Sequence, residues 1–385
     1  MAVSGARGGG WVFSARTDLA VFGGPLLASA VVALVAWRTG TLDAEVPPAL
    51  FVLLVVVCDV GHVWGTLFRA YLDPDERARR GGLLLAVPLG VLAFGVLLHA
   101  QAGAAGFWRV LAYVAAFHFV RQQWGWTAWA GRRDPGATPR DRALDRAAVY
   151  AATLWPLLWW HAHLPRAFAW FVDGDFASGL PAAVATAGGV VHAAVMLAWA
   201  ARQVVRAVRG GGVGWGRVLV VTTTWATWVG GIVALDSDLV FTASNVLAHG
   251  VPYVVLVHRW GGARWRGASA AVARLFAPRT LARFVAVLAA IGFVEEALWD
   301  AWVWHARADL FPLPALDLSE DALAFVVPLL ALPQATHYVL DAFLWRAGRD
   351  APLARAMGFP VSGAPAGPSA PGPAGPGASR PAPSA

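Results

Sequence analysis

The chain has no lysine; all 30 of its basic residues are arginine. Cysteine occurs once, at Cys58, which excludes an internal disulfide and any cysteine-based zinc site. Charge of either sign is scarce: 14% of the 385 residues are charged, where a soluble globular chain carries about 25%. With a mean hydropathy of +0.56, that shortfall excludes a soluble enzyme and excludes disorder over most of the length. There is no phosphate-binding loop, no GxGxxG turn and no Ser–His–Asp order, so nucleotide and acyl-transfer chemistry have no anchor. The net charge of +7 does not call for nucleic acid, because membrane proteins concentrate arginine in cytoplasmic loops. What remains is a polytopic membrane protein. Arginine in place of lysine, with abundant Gly, Ala and Pro, fits the coding bias of a GC-rich bacterium and hence its inner membrane.

A bilayer core takes about 20 apolar residues per helix. Ten runs meet this length: 18–37, 47–68, 82–101, 107–129, 145–164, 181–201, 218–236, 239–259, 281–303 and 321–345. They predict an all-α bundle of ten transmembrane spans filling residues 1–346. The first 17 residues read as a polar, Gly-rich lead and not as a cleavable signal. Residues 347–385 end in Pro/Ala/Gly low complexity that cannot bury a core, and they are expected to form a disordered cytoplasmic tail.

The arginines give the sidedness. Twenty-five of the 30 fall in the termini and alternate loops on one side, four (Arg38, Arg109, Arg166 and Arg307) fall on the other, and Arg121 lies within a span. The alternation persists through all ten runs and predicts that both termini are cytoplasmic. Many of the 21 tryptophans, among them Trp37, Trp108, Trp155, Trp260 and Trp345, sit at run ends as an interfacial belt and require no functional explanation.

Ionisable side chains within hydrocarbon are costly and mark function by default. Here they concentrate on the even-numbered runs: Asp59 and His62; His118, Arg121 and Gln122; His192; Asn245 and His249; His337 and Asp341. The first cytoplasmic arginine after each histidine follows 7 to 14 residues later, so the five imidazoles lie roughly 10–21 Å from that side at 1.5 Å per residue. One layer can hold them all. Asp59/His62 are spaced i, i+3, and Asn245/His249 and His337/Asp341 i, i+4, so each pair shares a helix face. A carboxylate or amide one turn from an imidazole is placed to hold its second nitrogen and fix its tautomer. His192 has no such neighbour. Taken singly, each histidine reads better as a hydrogen bond between helices; five at one depth favour a site. Neutral imidazoles with carboxylates and no thiolate suit iron, manganese, zinc or copper. Glu295, Glu296 and Asp300 form a further acidic group in the ninth run, suited to carboxylate ligation, a proton path or the lining of a cleft towards the outer face.

The stretches H-x-x-R-Q-x-x-G at His118–Gly125 and H-Y-x-x-D-x-x-x-W-R at His337–Arg346 resemble a group of bacterial polytopic membrane proteins of unassigned activity. The resemblance covers these two spans and the D-x-x-H of the second, and it implies organisation without chemistry. The layout is similar in kind to carotenoid-cleaving membrane oxygenases and to membrane di-iron desaturases and hydroxylases, which gather histidines around iron. This chain departs from both: it has no HxxxH or HxxHH boxes, and CDVGHVWG echoes their P-H-G-x-x-D motif only loosely. A mononuclear site fits better than an eight-histidine di-iron centre.

These residues predict a membrane metal-dependent oxidoreductase acting on a lipid or isoprenoid that the bilayer delivers. His62, His118, His249 and His337, with His192 and Asn245, are the expected ligands. Asp59 and Asp341 orient or complete the shell, and Arg121 and Gln122 bind an anion or neutralise charge. Iron is the first expectation for the metal. A proton-coupled transporter using the same His/Asp/Arg groups as a relay, a haem-b protein with two axial histidines, and a structural bundle whose polar layer specifies packing are the alternatives.

Overall fold

The computed structural model describes residues 9–265 and 270–359, and among these every regular element is helical. The helices are α1 (Ala15–Thr39), α2 (Pro48–Tyr71), α3 (Pro74–Arg133), α4 (Pro139–Ala162), α5 (Ala182–Val208), α6 (Trp215–Ala234) and α7 (Asp238–Arg264). They continue with α8 (Ala270–Leu275), α9 (Leu281–Trp299, extended by a π-helical turn Asp300–Trp304), α10 (Glu320–Leu344) and α11 (Ala351–Ala356). Seven of them, α1, α2, α3, α5, α6, α7 and α10, are long and apolar enough to cross a membrane. Each of the ten apolar runs coincides with helix. The runs at 82–101 and 107–129 share α3, which breaks at Gly103, where φ of 69° and ψ of −179° interrupt the helical path. The runs within α4 and α9 are helical too. They differ from the seven in the number of charged residues they carry, among them Arg140, Asp141 and Arg142 in α4 and Arg283, Glu295 and Glu296 in α9.

Local signals set the helix starts. Asp73 caps α3 ahead of Pro74, Ser237 caps α7, Ser319 caps α10, and Thr138 with Asp141 forms a reciprocal capping box ahead of Pro139. Helix α7 is the axis of the bundle: 72% of its apolar stretch is buried, against 50% or less for the other candidate spans. Helices α1, α2 and α6 pack around it, and α3 joins α4, α6 and α10. In α2, residues Val52–Val60 are wound as a π-helix, a local unwinding that recurs at functional sites and here ends two residues before His62. Close packing on both sides holds that segment in place. A side chain at Gly250 of α7 would run into the Cys58 carbonyl, and one at Gly292 of α9 would come within 2.8 Å of the Val56 carbonyl.

Ion pairs tie the arginine-rich end. Arg69 and Glu76 are almost fully buried and meet at 2.6 Å; Arg79 and Arg80 bridge Glu76 to Asp350. A second network joins Arg217 to Asp134 and Asp145, and Arg202 to Asp141. The packed body extends past the boundary expected at 346. Helix α11 buries Leu353 and Ala354, and Met357 and Phe359 follow, in a cluster with Trp129, Leu256 and Trp260. Arg133 donates to the Met357 carbonyl. A Leu and a Phe six residues apart, next to a capped single turn, suffice to dock this short segment. Residues 360–385, the rest of the expected tail, lie outside the described residues.

Candidate metal centre

Four of the five expected histidines converge. His62 from α2, His118 from α3, His249 from α7 and His337 from α10 are 1%, 6%, 0% and 0% exposed. Their rings form a closed square, His62–His249–His118–His337, with successive centroids 4.6, 5.0, 4.8 and 5.0 Å apart and neighbouring planes tilted by 65–83°. The His249–His337 diagonal is 6.5 Å.

On His62 and His337 one ring nitrogen is anchored and the other is not. His62 Nδ1 donates to the Cys58 carbonyl at 3.0 Å, which leaves the lone pair on Nε2. His337 Nδ1 lies 2.8 Å from Thr66 Oγ1. His249 stacks on Phe119 at 3.6 Å, with planes 7° apart. Nε2 of His62, His118 and His337, and both nitrogens of His249, are buried with no hydrogen-bond partner. An unsatisfied buried polar group costs about 1–3 kcal/mol; five of them in one place are a large penalty unless they share a ligand. One nitrogen from each of His62, His249 and His337 lies within 4.8 Å of the other two, as do the ligand atoms of His118, His337 and Asp341. Tetrahedral bonds of about 2.1 Å place nitrogens roughly 3.4 Å apart, inside the 4.8 Å limit that these groups meet.

The carboxylates flank this square. Asp59 Oδ1 is 4.0 Å from His62 Nδ1, and Asp341 Oδ1 is 3.7 Å from His337 Nδ1. Asp341 Oδ1 also accepts from Tyr253 Oη at 3.0 Å and from Trp345 Nε1 at 3.1 Å, and Tyr253 Oη lies 3.2 Å from Thr66 Oγ1. The sequence reading missed Thr66, Tyr253 and Trp345, although a signal was there. Thr66 follows His62, Tyr253 follows His249, and Trp345 follows Asp341 by four residues each, which places each pair on one helix face.

Gln122 reaches the site's backbone, its Nε2 donating to the His249 carbonyl at 3.4 Å. Asn245 sits one turn before His249 and lines the adjoining cavity; its Nδ2 donates to the Phe241 carbonyl at 3.0 Å. Two expected members lie elsewhere. His192 of α5 is joined to the Ala151 carbonyl through Nδ1 at 2.8 Å and accepts from Trp225 Nε1 through Nε2 at 3.1 Å. Both its ring nitrogens are spent on helix-to-helix hydrogen bonds, so it is not a ligand. Arg121 is exposed on α3 and donates to Tyr150 Oη at 2.6 Å. Its long stem lets the guanidinium leave the interior for that partner, so the side chain is bonded to Tyr150 and not to the histidines.

A cavity of about 330 Å³ adjoins the square. Asp59, Phe119, Asn245 and Tyr338, each within one turn of one of the four histidines, line it. Trp170, Thr242, Trp304 and Arg307, which also line it, belong to loops and helix ends at the arginine-poor end of the bundle. Glu295, Glu296 and Asp300 line it too, so the acidic group of the ninth run faces a cleft.

Comparison with family models, with curated proteins and with solved structures finds no match to this chain.

Proposed function

We propose that this chain is a ten-span protein of the bacterial inner membrane with both termini cytoplasmic. His62, His118, His249 and His337 would bind one first-row transition metal, and the protein would act as a metal-dependent oxidoreductase on a membrane-dissolved substrate of lipid or isoprenoid type. The observation that carries this reading is the square of buried imidazoles with five unpartnered nitrogens. An all-nitrogen set with carboxylates just outside it suits iron, with manganese, zinc and copper as alternatives. Such an ion supplies Lewis-acid or redox chemistry. The chain's own residues do the rest. Cys58 and Thr66 orient the imidazoles, Phe119 fixes the plane of His249, and the cavity admits substrate from the end opposite the arginine-rich loops. Rings packed at 4.6–5.0 Å favour a bare ion over haem b, because a macrocycle needs an open slot between its axial ligands.

Elemental analysis and a visible spectrum of the detergent-purified protein test this. About one metal per chain without a Soret band is expected, and His118→Ala and His337→Ala, made separately, should each lose it while still inserting and remaining monodisperse. Full metal occupancy in both variants would return the histidines to helix-to-helix hydrogen bonding. A metal-free wild type would favour a proton-coupled carrier or a structural bundle. Reporter fusions at residues 140 and 210 should read cytoplasmic and one at 174 periplasmic; a periplasmic signal at 140 contradicts the topology.

A further inference from the structure

The cavity beside the histidines has a chemical bias of its own. Its walls are largely aromatic, with Trp108, Phe119, Trp170, Phe241, Trp299 and Trp304 among them. Its charged groups are four carboxyls, Asp59, Glu295, Glu296 and Asp300, against one guanidinium, Arg307, which stacks on Phe51 at 4.7 Å. Two of the carboxyls are already engaged. Asp300 Oδ1 accepts from the backbone N–H groups of Ala306 and Arg307 at 2.8 and 2.7 Å, and Glu295 Oε2 accepts from Trp64 Nε1 at 2.6 Å.

The other acceptors are free. Among the described residues Glu296 makes no side-chain hydrogen bond, and the nearest ionisable partner of Asp59 is His62 Nδ1, 4.0 Å away. Asn245 is only 6% exposed and commits its Nδ2 to Phe241, so its Oδ1 is left as an unpartnered acceptor in the cavity. An anion would meet carboxyls, and a neutral apolar molecule would leave all three acceptors desolvated and unpaired, the costly outcome. Ring faces and acceptors together satisfy one kind of guest, a cation with an apolar surface, drawn to the rings by their quadrupoles and to the acids by charge. The volume falls within the usual range of small-molecule sites, about 300–1,000 Å³.

We propose that this cavity binds a substituted ammonium group, and that the substrate delivered to the histidine centre is a lipid-type molecule carrying such a cation. The second clause rests on the metal-centre reading; the first does not. Choline and its neutral isostere 3,3-dimethylbutan-1-ol differ in the charge and little else. Each is titrated by calorimetry into the full-length protein in a maltoside detergent, once after chelator treatment and once after metal loading. Choline should bind saturably, one per chain, at least tenfold more tightly than the alcohol, with or without metal. Glu296→Gln should weaken choline at least tenfold and leave the alcohol unchanged, whereas Glu320→Gln, at an exposed acid on α10, should change neither. Equal affinities, no binding of either probe, or unaltered choline binding by Glu296→Gln would overturn the proposal. If Glu296→Gln does not fold, the ratio of the two affinities on the wild type decides. Choline binding in a protein that retains no metal would refute the metal centre alone, and metal without choline binding would refute the cation site alone.

Discussion

Thr66→Val tests how the square of imidazoles is held. Thr66 Oγ1 lies 2.8 Å from His337 Nδ1 and 3.2 Å from Tyr253 Oη. Valine keeps the shape and removes the hydroxyl, but the two partners lose different amounts. Tyr253 still has Asp341 Oδ1 at 3.0 Å. His337 Nδ1 is left with that same oxygen at 3.7 Å, beyond hydrogen-bond reach, in a side chain that is 0% exposed. The cost therefore falls on one buried nitrogen, about 1–3 kcal/mol. Where a metal binds Nε2 of the same ring, part of that cost appears as lost affinity, since removing the group that orients a ligating histidine costs about 10–100-fold. At 1.4 kcal/mol per tenfold, that is about 1.4–2.8 kcal/mol. Competitive titration against a chelator of known affinity measures it. Tyr253→Phe is the control, because it removes the phenol from Thr66 and Asp341 but leaves the Thr66–His337 contact, and it should cost less than tenfold. If Thr66→Val binds metal as tightly as wild type, or if both variants lose affinity equally, the anchoring argument fails.

Four further outcomes follow from the geometry. Arg121→Ala and His192→Phe should leave metal occupancy unchanged, because their side chains are bonded to Tyr150, Ala151 and Trp225 away from the square; elemental analysis of either variant checks this. Gly250→Ala should destabilise the protein and disturb the site, since the new methyl group meets the Cys58 carbonyl that anchors His62; thermal unfolding of a variant that matched wild type would contradict it. Truncation after Arg349 should lower thermal stability, because it removes buried Leu353 and Phe359, each worth about 1.5–3 kcal/mol on full burial, together with Asp350. Burial tends to raise the Asp350 carboxyl, but the Leu353 N–H and the guanidinium groups of Arg79, Arg69 and Arg80 outweigh it and hold the carboxyl below the usual range. Burial likewise tends to raise Asp141, and Arg202 and Thr138 outweigh it. A depressed folded-state pKa contributes stability that is present above the unfolded value of about 3.9 and is lost as pH falls through the folded value. Asp350→Asn should therefore lower stability at neutral pH and flatten its decline below about pH 4, which melting temperatures across that range would show.

The sequence carried the helices because hydrocarbon imposes a length and a composition on each one independently, and each of the ten runs became helix. It carried four of the five expected histidines for a similar reason. A polar residue at mid-depth has to turn inward, so depth and spacing alone bring His62, His118, His249 and His337 to a common layer. Depth does not fix azimuth, and there the reading failed. His192 has a matching depth by sequence count, yet α5 lies on the outside of the bundle against α4, and a tryptophan and a carbonyl satisfy both its nitrogens. Arg121 is three residues from His118, but a long side chain can choose between two faces, and Tyr150 decided for the outer one. The short tail helix was missed because docking needed only Leu353, Phe359 and the ion-paired Asp350, too few residues to register as a periodic pattern. The anchors were legible in principle. Thr66, Tyr253 and Trp345 each stand four residues beyond a residue already singled out, so extending each polar pair by one more turn would have drawn the hydrogen-bonded chain that runs from His337 through Thr66 and Tyr253 to Asp341. That chain also gives Asp341 two parts at the site: its Oδ1 accepts two hydrogen bonds in the chain that holds His337, while its Oδ2 makes no hydrogen bond among the described residues and leaves the carboxylate within the group of His118, His337 and Asp341.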